Sequence, residues 1–152
     1  MQLPAKVNTV VVDAPNLDLP IVSLFGWVRG MHQKFESISG FQEADMAESH
    51  QESKTSVPGT AVTFADAVGL SKEKIRSIRA PALQRQLGVP EDHLRRHAYH
   101  WITWSYPNLE VEIRTRVHGL WPYAMGAIHI ARNLLATPYA FEKRVYSVTG
   151  LI

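Results

Sequence analysis

Four histidines and two aromatic–arginine pairs are the residues here whose types and spacing offer chemistry. His32 stands in "RGMHQKF", within a stretch of helical periodicity. An imidazole titrates near neutrality, so His32 could act as general base toward a ribose 2′-hydroxyl, the step of a metal-independent ribonuclease. His93, His97 and His100 recur at i, i+4 and i+7. On one continuous helix that spacing would put three imidazoles on one face, where a metal can be held. No carboxylate with catalytic-zinc spacing accompanies them, so no metal is expected. The pairs lie in "YHWITWSYPNLEVEIRTRV", whose period is 2. If Pro107-Asn108 closes a hairpin, Trp104 opposes Val111 and Ile102 opposes Ile113 on an apolar face. Trp101 then faces Arg114, and Tyr99 faces Arg116, on the other side. Aromatics beside arginines on an open sheet face form a platform on which unpaired bases stack.

The elements that must position these groups follow from the same pattern. "KVNTVVVDAP" predicts a strand over Lys6–Asp13, because it is β-branched and ends at Asp-Ala-Pro. "LPIVSLFGWVRGMHQKFESI" has Pro20 suited to a first turn and apolar Val22, Phe25, Val28, Met31 and Phe35 at helical spacing. Residues 39–60 are polar and aperiodic and read as a long loop. Residues 61–98 read as a basic helical insertion: "TFADAVG", "SKEKIRSIR", "PALQRQLG" and "PEDHLRRHA", with Gly69 and Gly88 as stops. After the hairpin, "WPYAMGAIHIARNLLA" predicts a second helix starting at Pro122, and "EKRVYSVTGLI" a closing strand. Without the insertion the order is the ferredoxin-like βαββαβ plan, α+β in class and a single domain over 1–152.

With 45% apolar and 20% charged residues, the composition is that of a globular domain with one sizeable core. The chain has no cysteine, which removes disulfides, thiolate metal sites and cysteine nucleophiles. The N-terminus lacks a basic region ahead of a long apolar core, and no apolar run approaches the length of a membrane span. A cytoplasmic location is the expectation. No P-loop or glycine-rich dinucleotide fingerprint occurs, so no cofactor is expected. Charge is unevenly placed. Residues 36–52 hold five acids and no lysine or arginine, whereas 71–100 hold Lys72, Lys74, Arg76, Arg79, Arg85, Arg95 and Arg96 against three acids. That asymmetry reads as a signal for a charged partner, with Lys72, Lys74, Arg76, Arg79, Arg95 and Arg96 as phosphate contacts.

Three short resemblances bear on function. "HGLWP", His118 to Pro122, resembles the first catalytic segment of the ribonuclease T2 family. Those enzymes are disulfide-bonded and carry a second catalytic segment downstream, so here the five residues read as a turn into the second helix. "TFADAVGLSKEKIRSI" resembles the helix-turn-helix signature, with Ala65, Gly69, Ile75 and Ile78 in the required places. "LFGWVRGMHQ" is similar to the first helix of the repeat-cleaving endonuclease of the CRISPR-associated (RAMP) superfamily, and "NLEVEIRTRVHG" to a strand of its backbone-cap members. That resemblance implies a ferredoxin-like fold, RNA binding and a general-base histidine at His32. Taken together, the sequence predicts a nucleic-acid-binding subunit of a larger nucleoprotein assembly, with RNA favoured over DNA and with other protein subunits as partners. A structural or adaptor subunit of a particle such as a phage tail or capsid is the alternative, and a helix-turn-helix DNA regulator the third.

Overall fold

A computed structural model describes residues 9–136 and 141–151. In chain order the elements are β1 (Val11–Asp13), α1 (Leu19–Glu36), β2 (Glu43–His50), α2 (Gly59–Ala67), β3 (Arg76–Ile78), α3 (Pro81–Gln86), β4 (His97–Tyr106), β5 (Leu109–His118), α4 (Trp121–Ala136) and β6 (Val145–Ser147). This is an α+β fold with two sheets. Four strands lie in the order β3-β2-β4-β5, and β1 pairs with β6 alone. The first and last strands therefore do not join the hairpin, and no single βαββαβ sheet forms among the described residues. Lys6 to Asn8 of the expected first strand, and Ile152 of the expected last one, lie outside those residues.

Contacts divide the chain into two units, one from the two ends (up to Ser23 and from Leu120) and one from Leu24 to Gly119. In the first, β1 and β6 run parallel, with Val12 opposite Tyr146. Asp18 starts α1 by accepting the Ile21 N–H at 3.3 Å, an N-cap contact that satisfies one donor of the first turn. Gly126 of α4 faces the Leu17 carbonyl so closely that a β-carbon there would sit 1.7 Å from its oxygen. Only glycine fits.

The second unit is built on β2 and β4. The hairpin pairs Trp104 with Val111, Ile102 with Ile113, Trp101 with Arg114 and Tyr99 with Arg116, the register that alternation predicts. Asn108 turns it with φ 62°, a left-handed position that asparagine tolerates. On one face, Met46, Ile102 and Trp104 are fully buried. Phe35 of α1 meets Trp104 edge-on at 5.3 Å, and Phe25 meets Phe64 of α2 at 4.8 Å. The two fully buried rings, Phe64 and Trp104, each contribute roughly 2–3 kcal/mol by leaving water.

Two expectations fail here for stated reasons. Residues 43–50, read as loop because they are polar and aperiodic, form the strand between β3 and β4. The segment 72–78, read as a helix, is a 3-10 turn (Lys72–Lys74) followed by β3. Without a second helix the helix-turn-helix is gone. Both outcomes have one cause: β3 lies parallel to β2 with Ala47 opposite Arg76 and Glu48 opposite Ser77. The acidic and basic segments answer each other.

Candidate active site

The densest polar cluster of the second unit gathers where β2 ends. Alternation along the strand puts Glu48 and His50 on the same face, opposite His100 and Ala98 of β4. Glu48 is fully buried and saturated. Its carboxylate accepts from His50 Nδ1 at 2.7 Å, Ser77 Oγ at 2.5 Å, and Arg79 Nη1 and Nη2 at 2.9 and 2.6 Å. Burial pushes its pKa up, but the hydrogen bonds from His50, Arg79 and Ser77 outweigh burial and hold it at about 2. Glu48 is thus an anion at neutral pH, and it fixes the His50 tautomer: Nδ1 carries the proton and Nε2 is left over. No hydrogen bond among the described residues takes Nε2.

Neighbours hold His50 from the other sides. The Gln84 amide of α3 donates to the His50 carbonyl at 2.7 Å. The rings of His97 and His100 lie 6.4 and 6.0 Å away, centroid to centroid. His97 donates from Nδ1 to the His93 carbonyl at 2.9 Å, which leaves its Nε2 to accept from Ser49 at 2.8 Å. Burial lowers its pKa. His100 shares a 2.8 Å hydrogen bond with Thr115, and burial pushes it down to about 3. Both rings are therefore neutral at neutral pH. Beyond His50 the chain turns at once, with the Lys54 N–H on the Gln51 carbonyl at 3.0 Å. The Lys54 carbonyl accepts from Arg79 Nε at 2.8 Å, and its ammonium has no ion pair among the described residues. The loop then leads into α2, which begins at Gly59 behind Pro58 with no side-chain cap. Its positive end lies in the same segment as Lys54.

The residues singled out from sequence lie elsewhere or act otherwise. Trp101 and Tyr99 are 7% and 2% exposed, packed with Ala47, Ile78, Val89 and Leu94 beneath the segment that contains α3. Arg114 and Arg116 do sit over these rings, at 5.8 and 6.0 Å, but the rings are covered and no base can stack on them. Arg114 is also held by Glu112 at 2.8 Å. Lys72, Lys74, Arg95 and Arg96 are exposed, Arg76 is paired with Asp45, and Arg79 is committed to Glu48. His32 lines a groove of about 440 Å³ with Glu36, Glu43 and Lys74. Its Nδ1 accepts the Trp104 indole N–H at 3.3 Å, so a neutral ring presents Nε2–H, a donor and not a base. His97 and His100 lie on strand β4 and His93 in a 3-10 turn, so the three do not share one helix face. No metal-holding cluster is found among the described residues. His118 ends β5 and stacks on His93 at 3.5 Å. Gly119 makes the turn with φ 73°, so "HGLWP" is a connection.

His50, Glu48 and Lys54 were missed. The available signal was an acid and a histidine two apart, the spacing of one strand face, followed by a lysine and a Pro-Gly helix start.

Comparison with known proteins gives the following likenesses. No family model matches the chain. It is 30% identical over 132 residues to 4-hydroxy-tetrahydrodipicolinate reductase 1 of Arabidopsis thaliana, which covers 82% of this chain and 38% of that protein. The second reductase of that plant is 27% identical, over 97% of this chain and 44% of its own length. The chain therefore spans less than half the length of these curated relatives. Among solved structures, a dipicolinate-bound dihydrodipicolinate reductase from Paenisporosarcina sp. TG-14 superposes with a TM-score of 0.62 at 14% identity, covering 93% of this chain and 54% of that one. That likeness concerns the fold.

These findings overturn the reading of the chain as a CRISPR-associated RNA-binding protein, and with it the nucleic-acid partner, the assembly subunit, the particle subunit and the DNA regulator. The plant relatives are named chloroplastic, where the composition suggested the cytoplasm. Among the described residues no helix is long and apolar enough to cross a membrane.

Proposed function

We propose that this chain supplies the dicarboxylate-binding and proton-donating part of a reductase of the 4-hydroxy-tetrahydrodipicolinate class. The observation that carries the reading is His50. Its Nδ1 is committed to a buried carboxylate and, among the described residues, nothing bonds its Nε2, the Lys54 ammonium of the following segment has no ion pair, and the start of α2 has no side-chain cap. The relatives' names supply the chemical class. Dipicolinate carries two carboxylates on one ring. The Lys54 ammonium suits one of them, and the N-terminal end of α2 the other.

Reduction of an unsaturated ring adds a hydride equivalent at one atom and a proton at its neighbour. In the imidazolium form, His50 keeps Nδ1–H on Glu48 and gives up the proton from Nε2. The ionised Glu48 stabilises the cation before transfer and holds the ring in place after it. A reductase also needs a hydride donor. No step through that donor is assigned to these residues.

Calorimetric titration with dipicolinate tests the reading, with the monocarboxylate picolinate as control. Saturable binding is expected for dipicolinate, at least tenfold tighter than for picolinate and at least tenfold weaker in His50→Asn. Absence of binding at millimolar dipicolinate would sink it.

A further inference from the structure

Arg79 is the group that touches both halves of this site. Its two terminal nitrogens clasp the Glu48 carboxylate. The same guanidinium reaches into the loop after β2, where Nε donates to the Lys54 carbonyl at 2.8 Å and Nη2 to that of Ser56 at 3.5 Å. Five planar donors on one rigid fork make this possible, and a lysine ammonium cannot reproduce it. The side chain is 19% exposed, so water competes poorly for these bonds.

We propose that Arg79 is a positioning residue that sets two things at once: the outward Nε2 of His50, through Glu48, and the placement of Lys54, through its carbonyl. The proposal rests on reading His50 and Lys54 as the dicarboxylate site. Glu48 carries the first of these effects to His50. Without a cation beside it, a buried carboxylate takes up a proton or draws one onto His50, and either change ends the single Nδ1–H tautomer. The charged or titratable groups facing His50 are Glu48 on its own strand, His97 and His100 from β4, and Arg79 from the end of β3. Arg79 is the permanent cation of that set. It also explains a local fact: residues 51–58 carry no helix or strand, yet they are tied to the sheet by the two carbonyl bonds of this one side chain.

Two variants separate the halves. Arg79→Gln removes the charge and the fork; Arg79→Lys keeps the charge. The measurements are long-range proton–nitrogen spectra of the imidazoles, amide hydrogen exchange, and dipicolinate binding. The wild type is expected to show His50 as the Nδ1–H tautomer. In Arg79→Gln that signature is lost and exchange at 51–58 rises at least tenfold above any change in β4 and β5. In Arg79→Lys the tautomer is kept and the loop still exchanges at least tenfold faster. Dipicolinate binding weakens at least tenfold in both. Wild-type spectra and loop exchange retained in Arg79→Gln overturn the proposal. So does an equal rise of exchange throughout the sheet in both variants, which would make Arg79 a stability element only. If the wild type itself fails to bind dipicolinate, the substrate reading fails, while the tautomer and loop results still decide what Arg79 does.

Discussion

Two arginines three residues apart, Arg76 and Arg79, reach two carboxylates three residues apart on β2, Asp45 and Glu48. The chemistry of the two pairs is the same and their surroundings are not. Arg76 and Asp45 are 66% and 36% exposed, whereas Arg79 and Glu48 are 19% and 0% exposed. An odd spacing on a strand sends the two pairs to opposite faces. Asp45 lines an open groove, while Glu48 is buried beside His50, Ser77 and His100. Water already satisfies the first pair, so its attraction is offset by solvation on both sides. The second has lost that alternative, and every donor it keeps is needed.

The sharpest way to break the comparison is to remove the buried cation. Arg79→Met leaves Glu48 buried without its guanidinium, and unfolding free energy should fall by about 3–5 kcal/mol. Urea denaturation at pH 7 measures it. A loss below about 1 kcal/mol would mean that the buried pair behaves like an exposed one.

Acid should find the same site next. Glu48 has a folded pKa near 2, below its usual 4.5, so its contribution is complete above pH 4.5 and disappears as pH falls toward 2. His100, held near 3 instead of 6.5, and His97, lowered in the same direction, refuse protons that the unfolded chain accepts. Their contribution is therefore complete above pH 6.5 and drains away below it. Asp18, raised by its burial, works the other way in its own unit. Stability should fall continuously from pH 6.5, with the Glu48 part amounting to about 2–3 kcal/mol. Urea midpoints at pH 7, 5, 4 and 3 trace the curve. A flat profile down to pH 3 contradicts the buried network.

Lys54 tests whether the buried cluster serves a ligand as well as the fold. Its ammonium bonds to nothing among the described residues, so Lys54→Met should leave the urea midpoint within about 0.5 kcal/mol. Dipicolinate affinity should nonetheless drop about tenfold, roughly 1.4 kcal/mol. Unchanged affinity would remove Lys54 from the site.

Much of the frame was legible in the chain. Apolar spacing places α1 and α4, and the pairing of Trp104 with Val111 and Trp101 with Arg114 follows from alternation about Pro107-Asn108. What stayed hidden was β2, because "EADMAESH" shows no sequence-local reason to be buried. Its acids become tolerable only through partners some thirty residues away, Arg76 and Arg79. The same blindness turned the basic segment into a nucleic-acid surface. A charge imbalance between two segments can be a parallel strand pair waiting to form, and local periodicity cannot tell the two apart. The aromatic platform failed similarly: register was readable from period 2, but not that the α3 segment folds back over Tyr99 and Trp101.

The smallest expected effect completes the comparison. Arg76→Met removes a guanidinium that Asp45 holds in full view of solvent. The freed carboxylate is rehydrated, and the longer-range field is screened within about 8–10 Å at ordinary ionic strength. The loss should be about 0.5 kcal/mol and should shrink further between 0.05 and 0.5 M salt, roughly. The buried partner pair predicts the reverse: Arg79→Met should cost nearly the same at both salt concentrations, because ions do not enter where water does not. Urea melts of the two variants at two ionic strengths decide it. If both losses respond equally to salt, burial is not what separates the pairs, and the assignment of Glu48 as a dry anion that holds His50 is lost with it.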